Sequence, residues 1–211
     1  MGFQASERVV ALNAQLEAFM QEHIYPREHE WEAFTLDQNN RWQVPDWFDV
    51  LRGKAKAEGL WNLFLPEEYG DWGPGLKNVE IARIFETMSK VNWAQPIFNC
   101  NAPDRGNMEV LAKYGTAEQQ EQWLKPLLAG DIRSAYAMTE PQVASSDATN
   151  MELSMTRDGD EYVLNGRKWW TTGAINPRCK LMLVMGKSNP ENERHRQHST
   201  ILVPRDTPGV T

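Results

Sequence analysis

The sequence has few cysteines, a deficit of positive charge and no long apolar run at its start. Cys100 and Cys179 stand far apart with no neighbouring cysteine, which gives no indication of a disulfide framework or a zinc knuckle. Lysine and arginine total 22 against 29 aspartates and glutamates, and the net charge of −7 disfavours nucleic-acid binding, which depends on cations that neutralise phosphates. The first twenty residues indicate neither a signal peptide nor a membrane span. We therefore expect a protein of a reducing compartment without a nucleic-acid partner.

Tryptophan, by contrast, is abundant, with nine residues in the chain. Hydrophobic residues make up 41% and charged residues 24% of the 211 residues, close to the averages of globular proteins. Such a chain is long enough for one large domain or two smaller ones, each with its own core. The tryptophan excess favours pockets or broad aromatic packing.

The first part of the chain has the apolar spacing of helices, with apolar residues at steps of three and four along one face. Gly115 is expected to close one helix in the left-handed conformation. Thr116 and Gln119 then form the pattern of a capping box at the start of the next helix. Helices are predicted over residues 7–24, 46–58, 77–90 and 105–114, and from 117 to just before 130.

After Ser134 the helical period gives way to alternation. The stretch MELSMTRDGDEYVLNGRKWWTT predicts a hairpin across an Asp-Gly turn and a following strand over Lys168–Thr172. Two more strands are expected at CKLMLVMG and STILVP, separated by a polar loop. The fold class is therefore α+β. We predict an N-terminal all-α helical domain, residues 1–133, followed by the first part of an antiparallel β-domain, residues 134–211.

The predicted sheet is short for a complete domain. Five or six strands would leave an open edge, and Pro208-Gly209 has the character of a turn that leads onward. We expect the chain to be the N-terminal fragment of a longer protein. A small complete sheet is the alternative.

Two stretches have residue types suited to ligand binding. The first, YAMTEPQVASSD at Tyr136–Asp147, joins a strand to small and hydroxylated residues, which suit phosphates or the polar edge of a heterocycle. In the second, RKWWTTG, strand alternation would put Trp170 and Thr172 on one face, and Trp169 and Thr171 on the other. An indole and a hydroxyl on one face can cover an aromatic ring and bond its edge. The alternatives are an ordinary connection and simple packing.

Taken together, the stretches AYAMTEPQVASSDATN and YVLNGRKWWTTGA resemble the paired flavin-binding segments of the acyl-CoA dehydrogenase family, whose forms are close to TEP-x-A-G-S-D and NG-x-K-x-W-I-T-N. The stretch YGTAEQQEQWLKPLLAGDIRSAYAMTEP resembles the preceding helix, and VPRDTPGV a later strand and turn. The resemblance covers most of the chain and is nearest to the branch of members ten and eleven. The chain departs from the pattern at Gln142–Asp147, which is one residue longer and not glycine-rich, and at Thr171, where isoleucine is frequent.

This resemblance implies FAD as the cofactor and assigns roles by position. The Met138 backbone and the Thr139 hydroxyl would lie near the pyrimidine edge of the isoalloxazine. Trp170 would pack beside the ring, and Thr172 would offer its hydroxyl near N5. A serine would lie near the FAD pyrophosphate and the acyl-CoA. That serine is Ser146, with Ser145 as the alternative, and the full set is Tyr136, Met138, Thr139, Ser145, Ser146, Trp170, Thr171 and Thr172.

The resemblance also implies an oxidoreductase that desaturates acyl-CoA thioesters between the α and β carbons, as in fatty-acid β-oxidation. In the family, a glutamate of a C-terminal helical domain removes the α proton while hydride leaves the β carbon for flavin N5. No glutamate of this chain fits that role, because Glu140 belongs to the first motif, and Glu152 and Glu161 lie in the predicted hairpin. We expect the 211-residue chain alone to be inactive and to bind FAD weakly.

Further expectations follow from the resemblance. It implies an acyl-CoA substrate, an electron-transfer flavoprotein as electron acceptor, and a homodimer or homotetramer for the full-length protein. It implies the cytoplasm in a bacterium, or the mitochondrion or peroxisome in a eukaryote. Two other hypotheses stay open: a flavin oxidase or monooxygenase of the same fold, and a non-catalytic binding or scaffolding module. His195 and His198 form an H-x-x-H without a metal-ligand pattern, so no metal site is predicted.

Overall fold

The structure, a computed structural model, describes residues 4–211 and divides the chain into two units, Met1–Gln120 and Glu121–Thr211. The first three residues of the predicted helical domain therefore lie outside the described residues. Helices make up the first unit, and the second holds a five-stranded sheet. The predicted order, a helical half before a strand half, is confirmed. The boundary between residues 133 and 134 stays a prediction.

The described helices begin and end close to the predicted positions, except for one that apolar spacing does not reveal. That helix, α2, buries none of its residues completely, and its half-buried residues Trp31 and Phe34 are too few to give the repeated apolar spacing on which the prediction depends. The first helix continues through a π turn to Ile24, as its spacing indicates. The bounds are α1 Glu7–Phe19, α2 Glu28–Leu36, α3 Asp46–Ala57, α4 Asn78–Met88, α5 Asp104–Tyr114, α6 Ala117–Gln119 and α7 Lys125–Ala129.

Part of the tryptophan excess serves the core of the first unit. Trp31 stacks on Trp93 with ring centroids 5.2 Å apart, and Trp47 lies 5.3 Å from Trp93. The Trp47 indole N–H donates a hydrogen bond to Glu30 over 2.6 Å, which satisfies the polar end of the ring. Cys100, which follows Trp93 by seven positions, is fully buried, and burial raises the pKa of its thiol to about 12. Cys100 therefore behaves as a small apolar side chain.

The two predicted caps around residue 115 have different outcomes. Thr116 accepts a hydrogen bond from the Gln119 N–H over 3.3 Å, and the Gln119 side chain accepts one from the Thr116 N–H over 3.0 Å, which confirms the capping box. The left-handed cap is wrong, because Gly115 has φ −69° and ψ 143°. Glycine is needed here for space instead, since a Cβ would lie 2.5 Å from the Leu111 carbonyl oxygen.

Five strands form one mixed sheet in the second unit. β4 lies at its centre, and β5 pairs antiparallel with one edge of it over residues 181–187. β1 pairs parallel with the other edge, and β2 joins that same edge further along at the pair Ser154 and Lys187. β2 and β3 form the predicted hairpin. The bounds are β1 Arg133–Ala137, β2 Ser154–Asp158, β3 Glu161–Asn165, β4 Cys179–Lys187 and β5 His198–Pro204.

The sheet corrects two expectations. The antiparallel prediction holds for β2 with β3 and for β4 with β5, but β1 and β4 are parallel, because a long connection separates them. The predicted strand over Lys168–Thr172 is wrong, since β3 ends at Asn165 and no strand follows it before β4. β1 and β2 both pair with the same edge of β4. The chain therefore leaves this edge after Ala137 and rejoins it at Ser154.

Leu153 marks the point of return and is enclosed by glycines. A Cβ on Gly166 would lie 2.8 Å from the Leu153 Cα, and a Cβ on Gly186 would lie 2.9 Å from the Leu153 carbonyl oxygen. These distances are shorter than any ordinary contact, so both neighbouring backbones require glycine. Gly166, directly after β3, is thus required by its close packing against Leu153. No described helix, over residues 4–211, is long and apolar enough to cross a membrane.

We predict that Gly166→Ala lowers the free energy of unfolding by about 1–3 kcal/mol, because the added methyl group overpacks against the Leu153 backbone. The control is Gly106→Ala in α5, where a Cβ meets nothing within 4 Å. That change should stabilise the protein by about 0.5–1 kcal/mol through helix propensity. Urea unfolding followed by circular dichroism measures both, and equal effects of the two changes would contradict the packing explanation.

Candidate functional site

The two sequence motifs lie side by side in the second unit. The Trp169 N–H donates a hydrogen bond to the Thr139 carbonyl oxygen over 3.0 Å. In return, the Thr139 hydroxyl donates to the Trp169 carbonyl oxygen over 2.9 Å. Residues 138–140, which follow β1, are thereby joined to residues 168–170, which follow β3.

A buried ion pair holds this junction together. The Lys168 ammonium lies 2.8 Å from a Glu140 carboxylate oxygen, and the side chains are only 9% and 3% exposed, respectively. The same ammonium donates to the Met138 carbonyl oxygen over 2.7 Å. The Glu140 carboxylate also accepts hydrogen bonds from the backbone N–H groups of Glu152 and Leu153, over 2.7 and 2.9 Å. One carboxylate therefore joins three segments of the chain.

The surroundings determine the charge states of this pair. Desolvation alone would raise the pKa of Glu140, but hydrogen bonds from Lys168, Leu153 and Glu152 outweigh it and hold the pKa below its usual value. Desolvation also lowers the pKa of Lys168, against the opposing effect of Glu140. Because its carboxylate is stabilised as the anion, Glu140 is a weak base.

The loop between β1 and β2 uses one of its two candidate serines internally. Ser145 is buried, and its hydroxyl oxygen accepts a hydrogen bond from the Glu140 N–H over 2.5 Å. Ser146 is exposed. Of the two serines proposed from the sequence, Ser146 is therefore the one accessible to a ligand.

The far side of this loop is fixed by polar contacts. The Asp147 carboxylate accepts hydrogen bonds from the Thr149 N–H and hydroxyl over 3.0 and 2.7 Å, which lower its pKa. Arg194, from the turn before β5, donates to the Thr149 hydroxyl over 2.7 Å. His195 belongs to the same exposed turn. Among the side chains that the structure describes, those of residues 4–70 and 72–211, no group of three or more potential metal ligands occurs.

The paired tryptophans differ from the sequence expectation. Trp169 and Trp170 do not lie on opposite faces, but stack on each other with ring centroids 4.7 Å apart and an interplanar angle of 18°. The reason is the backbone of Trp170, whose φ of 52° lies in the left-handed region and ends the alternation of a strand. Trp170 is 84% exposed and Trp169 41%. One face of the Trp170 indole is therefore covered and the other is open.

The other predicted site residues differ in their exposure and in their contacts. Met138 and Thr139 are half-buried, Thr171 is half-buried and Thr172 is exposed. Tyr136 lies on β1, where its hydroxyl contacts the Met185 sulfur at 3.7 Å. Hydrogen bonds join Thr139 to Trp169 and Met138 to Lys168, and Trp170 stacks on Trp169. Tyr136 and Thr172 are not part of that set.

Sequence reasoning did not select Glu140 and Lys168 as functional residues. Both were visible within the quoted motifs, as an acid in one and a base in the other. Opposite charges in two segments that are expected to meet are the signal that could have identified them. Their burial, which makes the pair important, is not readable from the sequence.

Comparison with known proteins gives a consistent result along the chain. Residues 6–131 match the family described as acyl-CoA dehydrogenase, N-terminal domain, and residues 135–211 match acyl-CoA dehydrogenase, middle domain. Mouse acyl-CoA dehydrogenase family member 10 is 51% identical over 98% of this chain and 20% of its own length. Mouse family member 11 is 49% identical over 99% of this chain and 27% of its own.

A similar solved structure comes from Mycobacterium abscessus and carries an acyl-CoA dehydrogenase assignment. It is 48% identical, with a TM-score of 0.91, and the match covers 98% of this chain and 52% of that one. The chain therefore spans about half of this solved relative, and about a fifth to a quarter of the two curated relatives.

We predict that Glu140→Gln lowers the free energy of unfolding by about 2 kcal/mol at neutral pH, since it removes a buried charge partner. The folded-state pKa of Glu140 is depressed, so its contribution is present above the usual value of 4.5 and is lost as pH falls through the folded value. The difference between wild type and variant should therefore shrink in acid. Urea unfolding at several pH values tests this, with exposed Glu161→Gln as the control. A difference that stays constant through the acid range would contradict the assignment.

Proposed function

The chain belongs to the acyl-CoA dehydrogenase family, and we propose on that premise that the protein is an FAD-dependent oxidoreductase that desaturates acyl-CoA thioesters between the α and β carbons. The observation that carries the proposal is the hydrogen-bonded pairing of the two motif segments, which joins Thr139 to Trp169, the residue on which Trp170 stacks. Because the relatives are longer than this chain, the proposal concerns the full natural chain.

The residues present fit a flavin. An isoalloxazine is a flat ring system with N–H and carbonyl groups along one edge, and the indole of Trp170 has one open face for such a ring. The Thr139 hydroxyl donates its proton to the Trp169 carbonyl, so its oxygen retains lone pairs that can accept a ring N–H. The exposed hydroxyl of Thr172 is proposed to lie near N5. When bound, FAD supplies the acceptor for hydride from the β carbon.

The described part of the chain contributes binding and orientation. Ser146, in the loop between β1 and β2, is proposed to contact the FAD pyrophosphate and the acyl-CoA, because Ser145 is occupied within the loop. Glu140 is unsuited to proton abstraction, since it accepts three hydrogen bonds and its pKa is lowered. We propose that the base is a carboxylate from outside these residues, so that the 211-residue chain alone is inactive.

We extend the proposal to partners. Trp169 and Trp170 form a contiguous exposed aromatic pair, and such apolar patches are typical of surfaces that a ligand or another chain covers. Electron-transfer flavoprotein is the proposed electron acceptor, and a homodimer or homotetramer is the proposed state of the full natural chain.

We predict that the full natural chain purifies with bound FAD and that Trp170→Ala with Thr172→Ala weakens FAD binding at least about tenfold, because both the stacking face and an edge hydroxyl are removed. Flavin fluorescence titration measures the affinity. The control is Trp42→Ala, which removes another exposed tryptophan, 52% exposed, from the helical unit. Wild-type protein without FAD, and without affinity for added FAD, would favour the non-catalytic module.

A second prediction concerns the reaction class. Anaerobic addition of an acyl-CoA should bleach the visible absorbance of the flavin in the full natural chain. Reoxidation should be slow in air and fast with electron-transfer flavoprotein, as a dehydrogenase requires. Rapid reoxidation by oxygen would instead identify an oxidase or monooxygenase. Turnover by the isolated 211-residue chain would contradict the proposal that the base lies elsewhere.

A further inference from the structure

We propose that Glu140 and Lys168 are positioning residues, which set the distance between Thr139 and Trp170 and thereby the fit of the flavin. This inference rests on the proposed function, because it concerns the same site. It assigns a role to two residues that are not themselves proposed to contact the cofactor.

Because Glu140 and Lys168 are buried, their charged groups do not contact a ligand directly. Both side chains are almost fully buried, and each charged group is engaged by protein atoms. The Lys168 ammonium contacts the Met138 carbonyl and the Glu140 carboxylate, while that carboxylate contacts the backbone at residues 152 and 153. These groups therefore act through the segments that they join.

The contacts flank the proposed flavin residues on both sides. Lys168 bonds to the carbonyl immediately before Thr139 and to the side chain immediately after it. Lys168 is itself followed by Trp169, whose N–H and carbonyl bond to Thr139. A shift of the ammonium would move Thr139 relative to the stacked indoles. The buried contacts of Lys168 thus support the two hydrogen bonds between Thr139 and Trp169 in holding the separation that a flat ring must match.

The pair also anchors the loop that carries Ser146. Glu140 begins this loop, its N–H donates to Ser145, and its carboxylate accepts from the two residues at the loop's end. Both ends of the loop are therefore held by one residue. Loss of the carboxylate would remove the hydrogen bonds at the far end of the loop that carries Ser146.

The ion pair is tested with the full natural chain carrying Lys168→Met, which keeps the unbranched side chain up to its fourth atom but removes the ammonium and its charge. We expect FAD binding to weaken about tenfold or more, as is common when a supporting group is removed. Lys168→Arg keeps the charge and should restore most of the affinity. Lys180→Met, an exposed lysine of β4, is the control and should stay within about twofold of wild type.

Two spectroscopic readouts separate positioning from simple loss of stability. Without FAD, the stacked indoles should give a coupled circular dichroism signal that changes in Lys168→Met and returns in Lys168→Arg. With saturating FAD, the visible circular dichroism of the bound flavin should change in the same way. If Lys168→Met does not fold, the double variant Glu140→Gln with Lys168→Met, which leaves no unpaired charge, takes its place.

The outcomes distinguish this inference from the proposed function. Wild type that binds FAD, with variants that keep its affinity within about threefold and its spectra unchanged, would overturn the positioning role. A change in affinity with an unchanged spectrum at saturation would also overturn it, since that result indicates stability alone. Wild type that never binds FAD would refute the proposed function, while the indole signal would still report whether Lys168 positions the tryptophans.

Discussion

The buried contact between Lys168 and Glu140 is the interaction on which the candidate site depends. Removing two charges from water is costly, and such a pair is tolerated only when the remaining hydrogen-bonding capacity of both groups is used. Here the carboxylate accepts two backbone N–H groups and the ammonium donates to a backbone carbonyl. The cost of burial is therefore offset by contacts that join three separate segments. The pair specifies one arrangement of those segments more than it adds stability.

The topology of the sheet explains why such a junction is needed. β1 and β2 share one edge of β4, so the chain must leave that edge and come back within a short distance along it. The backbone at Leu153 packs closely against Gly166 and Gly186, so neither of these two positions has room for a side chain. A loop with both ends so close together needs a polar anchor for its backbone groups, because they no longer belong to the sheet. Glu140 supplies that anchor.

The sequence predicts what depends on local pattern and fails where distant contacts decide. Apolar spacing locates the amphipathic helices and the hairpin, and a capping box locates the start at Thr116. It misses α2, whose residues are not buried. The stacking of Trp169 on Trp170 depends on the left-handed backbone of Trp170. The pairing of Trp169 with Thr139 joins residues that are thirty positions apart. Neither feature has a local sequence pattern. The motifs contain the residues that lie together, but only the fold shows that the Ser145 hydroxyl accepts a hydrogen bond from Glu140 within its own loop.

The electrostatics of the site limit what this part of the chain can do in a reaction. Its buried acid and base neutralise each other, and the pKa of Glu140 is lowered, which makes its carboxylate a weaker base for proton transfer. What remains accessible is an indole face and hydroxyl groups, which bind and orient but neither remove protons nor accept electrons. A site of this composition is suited to hold a cofactor in a fixed orientation. In the proposed function, the bond-breaking step would depend on the cofactor and on a base from outside these residues.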